Sequence, residues 1–264
     1  MDFPVNRFQR MLRESRTTFG AWLMSAHPTI TEAMGCAGFD FLVVDMEHTP
    51  VDTPQLVDHL RALDAAGCAG IVRLPWNDMV MAKRALDAGA QSLMMPFVQT
   101  AEEAQRAVSY TRYPPDGVRG VAGSQRASRF ATVPDYLRQA NANVSVTVQI
   151  ETLDALSRLP EIATVPGVDS IFIGPSDLSA SMGHLGDVGH PAVQAKLAEG
   201  AAACRKAGKP CGIIGGTPEM VARFASYGYQ WIAIGSDMSF MVGRAQEFLA
   251  RARGTDPDGA KSGF

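Results

Sequence analysis

The sequence predicts an α/β protein of the (β/α)8 barrel class, and three observations support this prediction. The 264 residues suit one large α/β domain better than two small ones. Short β-branched or apolar runs alternate with amphipathic helical stretches, which is typical of a parallel α/β fold. Glycine recurs just after the helical stretches, where a left-handed residue ends a helix before the next strand. These glycines are Gly38, Gly67, Gly89, Gly208 and Gly228. A doubly wound open sheet is the alternative, but no GxGxxG motif follows the first predicted strand.

A short amphipathic helix is expected first, because Phe8, Met11 and Leu12 have the i, i+3, i+4 spacing of one helix face. Runs rich in β-branched and apolar residues then predict eight strands. These are residues 19–23, 39–44, 70–73, 92–95, 144–150, 170–173, 211–214 and 231–234. Helical periodicity predicts the helices that follow them. These are residues 29–37, 53–66, 80–88, 100–111, 153–162, 191–207, 218–227 and 237–253.

One long segment, from Tyr113 to Ala142, interrupts this alternation. Its length exceeds that of ordinary loops, so we expect it to be functional or partly helical. Residues 1–253 are expected to form a single (β/α)8 domain. Residues 254–264 are rich in Gly, Asp, Lys and Ser, and we expect them to form a disordered tail.

The composition argues against several classes of function. The net charge is -3 and no Lys/Arg cluster stands out, so neither nucleic acid nor an acidic membrane surface is an expected partner. The four cysteines form no CxxC pair, which favours buried reduced thiols over a redox or metal site. No apolar run reaches the roughly 20 residues of a membrane span, and residues 1–16 lack the apolar core of a secretory signal. A cytoplasmic enzyme is therefore expected.

Ionisable residues follow the second predicted strand, where a (β/α)8 barrel carries its catalytic groups. The strand is followed by Asp45, Met46, Glu47 and His48. A single histidine is often structural, but three ionisable side chains in four residues at a strand end favour a functional role. Either carboxylate can orient the imidazole and raise its basicity, so His48 is a candidate general base.

The third predicted strand is apolar and ends in Arg73. A buried arginine is costly unless it faces a polar cavity. Its planar guanidinium suits a substrate carboxylate or a developing oxyanion. A salt bridge to Asp45 or Glu47 is the structural alternative, and it is compatible with the functional one.

Two acidic residues follow neighbouring strands, Glu151 after the fifth and Asp177 after the sixth. Two carboxylates with water or substrate oxygens suit a hard divalent cation. Helix capping is the structural alternative for Asp177, whereas Glu151 has no such explanation. Residues 174–177 also open a helix, whose free N–H groups can hold a carboxylate.

Lysine placement bears on the type of chemistry. The lysines are Lys83, Lys196, Lys206, Lys209 and Lys261. None of them follows a predicted strand, where a Schiff base with a carbonyl substrate would have to form. Metal-dependent chemistry is the interpretation that remains.

Several motifs together carry a resemblance to a known family. They are Gly38-Phe39-Asp40-Phe41, Asp45-x-Glu47-His48, Val72-Arg73, Arg119-Gly120-Val121, Val148-Gln149-Ile150-Glu151 and Phe172-Ile173-Gly174-Pro175-Ser176-Asp177. With these motifs in this order, the chain resembles the HpcH/HpaI aldolase family from about residue 7 to residue 253. The resemblance implies reversible retro-aldol cleavage of a 4-hydroxy-2-oxo acid, of the 2-dehydro-3-deoxyglucarate or 4-hydroxy-2-oxoheptanedioate type, to pyruvate and an aldehyde.

The same resemblance implies roles for individual residues. Glu151 and Asp177 would hold Mg²⁺, Mn²⁺ or Co²⁺, and Gln149 would lie against the keto-acid oxygens. The N–H groups of Ser176 and Asp177 would bind the keto-acid carboxylate. Arg73 would stabilise the pyruvate enolate, and His48, held by Asp45, would be the base. The resemblance gives no role for Glu47. It also implies a homo-hexamer, a trimer of dimers, whose last helix packs on a neighbouring subunit.

Two other functions stay open. One is a lyase of the same superfamily that cleaves malyl or citramalyl thioesters. The other is a non-catalytic barrel that binds a keto acid. The chain also departs from the family pattern after the seventh strand, where it has Ile214-Gly215-Gly216. That departure leaves the identity of the aldehyde open.

Overall fold

A computed structural model describes residues 3–14 and 16–255 of the chain. Eight parallel strands close into a barrel in chain order, with β8 paired to β1. The strands are β1 Thr18–Leu23, β2 Phe41–Asp45, β3 Ala69–Arg73, β4 Ser92–Met95, β5 Ser145–Ile150, β6 Ser170–Ile173, β7 Cys211–Ile214 and β8 Trp231–Ser236. The predicted barrel is confirmed, and every predicted strand lies within two residues of an observed one at each end. The predicted tail falls mostly on residues 256–264, which lie outside the described residues.

Twelve α-helices occur in the described part of the chain. They are α1 Arg7–Met11, α2 Pro28–Cys36, α3 Thr53–Ala66, α4 Met79–Ala88, α5 Ala101–Ser109, α6 Tyr136–Gln139, α7 Leu153–Ser157, α8 Leu159–Ala163, α9 Pro175–Ser181, α10 Pro191–Lys206, α11 Pro218–Tyr227 and α12 Asp237–Ala252. The helix predicted at 153–162 is observed as two, because Pro160 lacks an N–H group and its ring clashes with the preceding turn. Among the described helices, none combines the length and apolarity of a membrane span.

Aromatic side chains fill the end of the barrel where the strands begin. Phe8 of α1 is fully buried and meets Trp231 edge-on, with 5.3 Å between ring centroids. Phe41 lies 6.1 Å from Phe8 and 5.5 Å from Trp231. Burying a phenylalanine of this kind stabilises the fold by about 1.5–3 kcal/mol. The predicted first helix thus closes the N-terminal end of the barrel and leaves the carboxyl end of the strands as the open one.

The long segment 113–142 is partly helical, as predicted: it contains α6 and the 3₁₀ turn Arg126–Ser128, and it ends within a second 3₁₀ turn, Ala140–Asn143. Arg119 anchors it against α4, where Nη2 lies 2.8 Å from Asp87 Oδ1. The guanidinium carbon of Arg119 also lies 4.3 Å from the centre of the Tyr113 ring. The segment therefore packs on the outside of α4 through a buried cation.

Replacing Arg119 with alanine should lower the free energy of unfolding by about 3 kcal/mol, because removal of one partner of a buried ion pair leaves the other charge uncompensated. Urea denaturation monitored by circular dichroism measures this change. Arg158 pairs with Asp154 at 3.7 Å on the surface, so Arg158→Ala is the matched control. It should cost less than about 1 kcal/mol. Equal losses for the two variants would contradict the anchoring role of Arg119.

Candidate active site

The polar residues predicted from the sequence lie at the carboxyl end of the barrel. Asp45 and Arg73 are the last residues of β2 and β3. Gln149 belongs to β5 and Glu151 directly follows that strand. Asp177 lies in the first turn of α9, which begins two residues after β6. Since the carboxyl ends of parallel strands meet at one rim, these side chains are brought to the same end of the fold.

Asp45 and Arg73 form a bidentate ion pair. The two residues are directly opposite each other in the β2–β3 register. Arg73 Nε donates to Asp45 Oδ1 at 2.9 Å, and Nη2 donates to Oδ2 at 2.7 Å. Asp45 is fully buried and Arg73 nearly so. Paired N–H···O bonds of this kind fix the guanidinium plane, so Arg73 is held rigidly at the rim.

Glu47 lies between Arg73 and His48. Its Oε2 is 2.9 Å from Arg73 Nη1 and 3.9 Å from His48 Nε2, and it accepts no hydrogen bond of good geometry. Burial raises the pKa of Glu47, and the charge of Arg73 partly offsets that rise. The buried Oε2 atom is therefore an acceptor that a bound molecule can use.

The structure changes the predicted relation between Asp45 and His48. Asp45 Oδ1 accepts the backbone N–H of Glu47 at 2.9 Å and that of His48 at 3.4 Å. The imidazole itself is exposed, and its nearest carboxylate is Glu47. The expectation that Asp45 holds the imidazole is corrected, because both oxygens of Asp45 are engaged by Arg73. Asp45 instead fixes Arg73 and the turn that presents His48.

Glu151 is buried and receives a hydrogen bond on each oxygen. The backbone N–H of Phe97 donates to Oε1 at 2.7 Å, and Gln149 Nε2 donates to Oε2. Burial raises the pKa of Glu151 to about 7, and the nearby charges of Asp177 and Glu47 add to the rise. The hydrogen bonds from Gln149 and Phe97 oppose it. This carboxylate is thus held in place where its negative charge is poorly solvated.

Gly174 allows α9 to begin close to Glu151. A Cβ atom at this position would lie 2.9 Å from Glu151 Oε2 and 3.0 Å from Glu151 Cβ, which real side chains do not tolerate. Gly174 is also the residue that precedes α9, and no side chain caps the helix there. Ser176 and Asp177 are exposed in the first turn. The absence of a side chain at Gly174 therefore allows the start of α9 to lie against Glu151.

The donor set fits a divalent cation that completes its coordination with other ligands. No cluster of three or more His, Cys, Asp or Glu side chains suited to a metal occurs in the described residues. The two carboxylates Glu151 and Asp177 interact unfavourably, and Gln149 Oε1 is buried without a partner. A hard cation would relieve this repulsion, and such ions are commonly bound by one or two carboxylates together with substrate and water oxygens. The residues present therefore fit the predicted metal.

None of the lysines within the described residues lies at this rim. Lys83, Lys196 and Lys206 are on the outer helices α4 and α10. Lys209 precedes β7 and donates to the Val168 carbonyl at 2.5 Å, at the opposite end of the barrel. Lys261 lies outside the described residues. The placement predicted from the sequence is confirmed for these four lysines.

Two rim residues were missed from the sequence. Phe97 follows β4 and donates its N–H to Glu151. Its ring stacks on that of Trp76, which follows β3, with 5.7 Å between centroids. Both positions follow strands, where functional residues are expected. Neither side chain is ionisable or able to bind a metal, so the sequence did not identify them as candidates.

Comparison with known proteins is consistent with this geometry. The sequence profile of the family described as HpcH/HpaI aldolase/citrate lyase matches residues 18–243. The 2-dehydro-3,6-dideoxy-6-sulfogluconate aldolase of Pseudomonas putida is 48% identical over 92% of this chain and 96% of its own. The 5-keto-4-deoxy-D-glucarate aldolase of Citrobacter koseri is 44% identical over 93% of this chain and 95% of its own. The crystal structure of an HpcH/HpaI aldolase/citrate lyase family protein from Burkholderia cenocepacia J2315 superposes with a TM-score of 0.91 at 39% identity. It covers 94% of this chain and 100% of the other.

Proposed function

Because this chain belongs to the HpcH/HpaI aldolase/citrate lyase family, we propose that it is a class II aldolase that reversibly cleaves a 4-hydroxy-2-oxo acid to pyruvate and an aldehyde. One observation carries the proposal most strongly. The open end of the barrel carries both a buried Arg73, which Asp45 holds bidentately, and a poorly solvated Glu151, whose pKa the charges of Asp177 and Glu47 raise further. Arg73 can stabilise a pyruvate enolate, and the carboxylates of Glu151 and Asp177 can bind a divalent cation. No described lysine lies where it could form a Schiff base with the substrate.

The proposed substrate is a 4-hydroxy-2-oxo acid with an acidic group at each end. The two named relatives act on a sulfogluconate and on a glucarate derivative, both of which carry a second acid group far from the oxo acid. The 2-dehydro-3-deoxyglucarate and 4-hydroxy-2-oxoheptanedioate types are therefore the compounds to test first. The Gly215-Gly216 loop lies after β7 at the same rim. A Cβ atom at Gly216 would meet nothing within 4 Å, so this side of the site is open.

Glu151 and Asp177 would hold Mg²⁺, Mn²⁺ or Co²⁺. A divalent ion bound there supplies Lewis-acid polarisation of keto-acid oxygens. Gln149 has a free Oε1 beside Glu151, and its side chain orients the bound keto acid. The N–H groups of Ser176 and Asp177, in the uncapped first turn of α9, bind its carboxylate.

His48 moves a proton, and Arg73, held by Asp45, stabilises the negative charge that forms during cleavage. His48 takes the proton of the C4 hydroxyl as the C3–C4 bond breaks, which releases the aldehyde. The electron pair of that bond passes to the pyruvate enolate, whose negative charge Arg73 stabilises. Asp45 holds Arg73 in place for this task, through two hydrogen bonds. The enolate then takes a proton at C3 from solvent to give pyruvate, and His48 returns its proton to solvent, which regenerates the base.

Pyruvate release from a panel of substrates tests the proposal. The panel contains 2-dehydro-3-deoxyglucarate, 5-keto-4-deoxy-D-glucarate and 4-hydroxy-2-oxoheptanedioate, together with the citramalyl thioester, which releases pyruvate, and the malyl thioester, whose cleavage is followed by glyoxylate release. We expect cleavage of the oxo acids with Mg²⁺ or Mn²⁺ present, and no covalent adduct when pyruvate and borohydride are added. Cleavage of the thioesters alone would support the lyase alternative. Pyruvate binding without any cleavage would support the non-catalytic one.

We also propose that a second copy of the chain covers the outer face of α12, within a homo-hexamer. Five apolar side chains on this helix are between 38% and 57% exposed. They are Met238, Met241, Val242, Phe248 and Leu249. Exposed apolar surface of this kind marks an interaction site more often than a free surface.

Replacing Met241 and Phe248 together with glutamate should convert the oligomer to a smaller species. A buried unpaired carboxylate on each side of the contact costs more than the contact gains. Light scattering coupled to size exclusion measures the mass. Leu185 is more exposed but lies in the loop after α9, so Leu185→Glu is the control and should leave the mass unchanged. A monomeric wild type would contradict the proposal.

A further inference from the structure

Phe97 has an unusual backbone conformation. It lies two residues after β4, and its φ is +54°, in the left-handed region. Aromatic residues seldom adopt this region because Cβ approaches the carbonyl oxygen. Such a conformation costs free energy, and residues that adopt it are concentrated at functional sites. The conformation of Phe97 therefore calls for a specific cause.

The backbone hydrogen bonds around Phe97 give that cause. Its N–H donates to Glu151 Oε1 at 2.7 Å, and the next N–H, of Val98, donates to the Gln149 carbonyl at 3.1 Å. In an extended strand, successive backbone groups point to opposite sides. Here two successive N–H groups both reach the end of β5. The left-handed turn at Phe97 makes this double contact possible.

The side chain of Phe97 does not explain the strain. The residue is 41% exposed, and its ring stacks on that of Trp76, which is 56% exposed. Because much of both rings stays exposed, this stack buries less apolar surface, and stabilises less, than a contact in the core. The backbone contact with Glu151 is the interaction for which the strained conformation is needed.

We propose that Phe97 is a positioning residue whose left-handed backbone holds Glu151 in the orientation that binds the divalent cation. The inference rests on the metal site of the proposed function. Phe97 fixes one carboxylate oxygen and Gln149 fixes the other, and each oxygen keeps a lone pair for the cation. Groups that orient metal ligands in this way commonly contribute 10–100-fold to metal affinity.

Two substitutions of similar size separate the backbone from the side chain. Phe97→Asn places a residue that tolerates the left-handed region, whereas Phe97→Thr places a β-branched residue that does not. The dissociation constant for Mn²⁺ is measured by electron paramagnetic resonance on the full chain without substrate. We expect Asn to stay within about 3-fold of the wild type and Thr to bind at least about 10-fold more weakly. Phe97→Gly should likewise bind Mn²⁺ more tightly than Phe97→Ala, because glycine adopts the left-handed region freely. This second pair of variants can be compared if the threonine variant does not fold.

Phe130 is a matched control within the same chain. Its φ is +57° and it is 65% exposed, but its N–H donates to the Gln125 carbonyl, away from the rim. Phe130→Thr should therefore leave the Mn²⁺ affinity unchanged. Equal affinities of the Asn and Thr variants, or an Ala variant that binds Mn²⁺ as tightly as the Gly variant, would overturn the inference. A wild type that binds no Mn²⁺ would instead contradict the metal site on which the inference rests.

Discussion

Replacing Arg73 with methionine should lower kcat/KM for pyruvate release by about 10²–10³-fold, the loss typical when a pre-organised oxyanion-stabilising group is removed. The guanidinium is held by Asp45 at 2.9 and 2.7 Å and by Glu47 at 2.9 Å, so it meets the developing enolate without reorganising. Arg73→Lys should recover only part of the loss, because an ammonium group keeps the charge but not the planar pair of donors. Steady-state kinetics with saturating metal measure both variants.

The same substitution should also lower the free energy of unfolding by about 3–5 kcal/mol, because it leaves Asp45 buried without its counter-ion. Adding Asp45→Leu to Arg73→Met should restore part of this loss, since the buried charge is then removed as well. Urea denaturation of the single and double variants measures the two effects. An Arg73→Met protein as stable as the wild type would show that the ion pair does not hold this rim together.

Replacing Glu151 with glutamine should abolish Mn²⁺ binding and cleavage while stabilising the metal-free protein at pH 8. Burial raises the pKa of Glu151 to about 7, so the ionised carboxylate costs folding free energy at that pH. The gain should be on the order of 1–3 kcal/mol, since each pKa unit corresponds to about 1.4 kcal/mol. The metal-free wild type should lose stability as the pH rises from the ordinary carboxylate range through about 7, so the gain should fall to less than about 1 kcal/mol at pH 5.

Thermal and urea unfolding in EDTA at pH 5 and pH 8 measure this effect. Glu161 is an exposed carboxylate in α8, so Glu161→Gln is the control and should alter neither the stability nor the Mn²⁺ affinity. A Glu151→Gln protein that still requires and binds Mn²⁺ would remove this residue from the metal site.

The barrel could be predicted because its signals are local. Runs such as Ser92–Met95 and Cys211–Ile214 are short, apolar and bounded by turn residues, and three predicted strands match the observed ones residue for residue. One helix was predicted at 153–162, but two are observed, α7 and α8. Pro160 accounts for the difference, because its missing N–H interrupts the helical hydrogen bonds. The path of segment 113–142 could not be predicted, since the contact of Arg119 with Asp87 joins residues 32 positions apart.

The residues of the candidate site could be predicted, but several of their partners could not. Arg73, Glu151 and Asp177 are all associated with strand ends, which sequence patterns locate well. The pairing of Asp45 with Arg73 depends on the register of β2 against β3, which no local pattern encodes. The role of Phe97 depends on its backbone conformation and on a hydrogen bond to a residue 54 positions away. The catalytic and metal-binding roles of these side chains stay predictions until variants are measured.

Removal of the metal shows directly whether the chain is a metal-dependent aldolase. The full chain is treated with EDTA, freed of chelator, and assayed for pyruvate release from 5-keto-4-deoxy-D-glucarate and 2-dehydro-3-deoxyglucarate before and after Mg²⁺ or Mn²⁺ is added. A metal-dependent aldolase releases no pyruvate in the stripped state and recovers its activity when either ion is returned. Full activity after thorough stripping, or a borohydride-trapped pyruvate adduct on a lysine, would contradict metal-dependent cleavage by this protein.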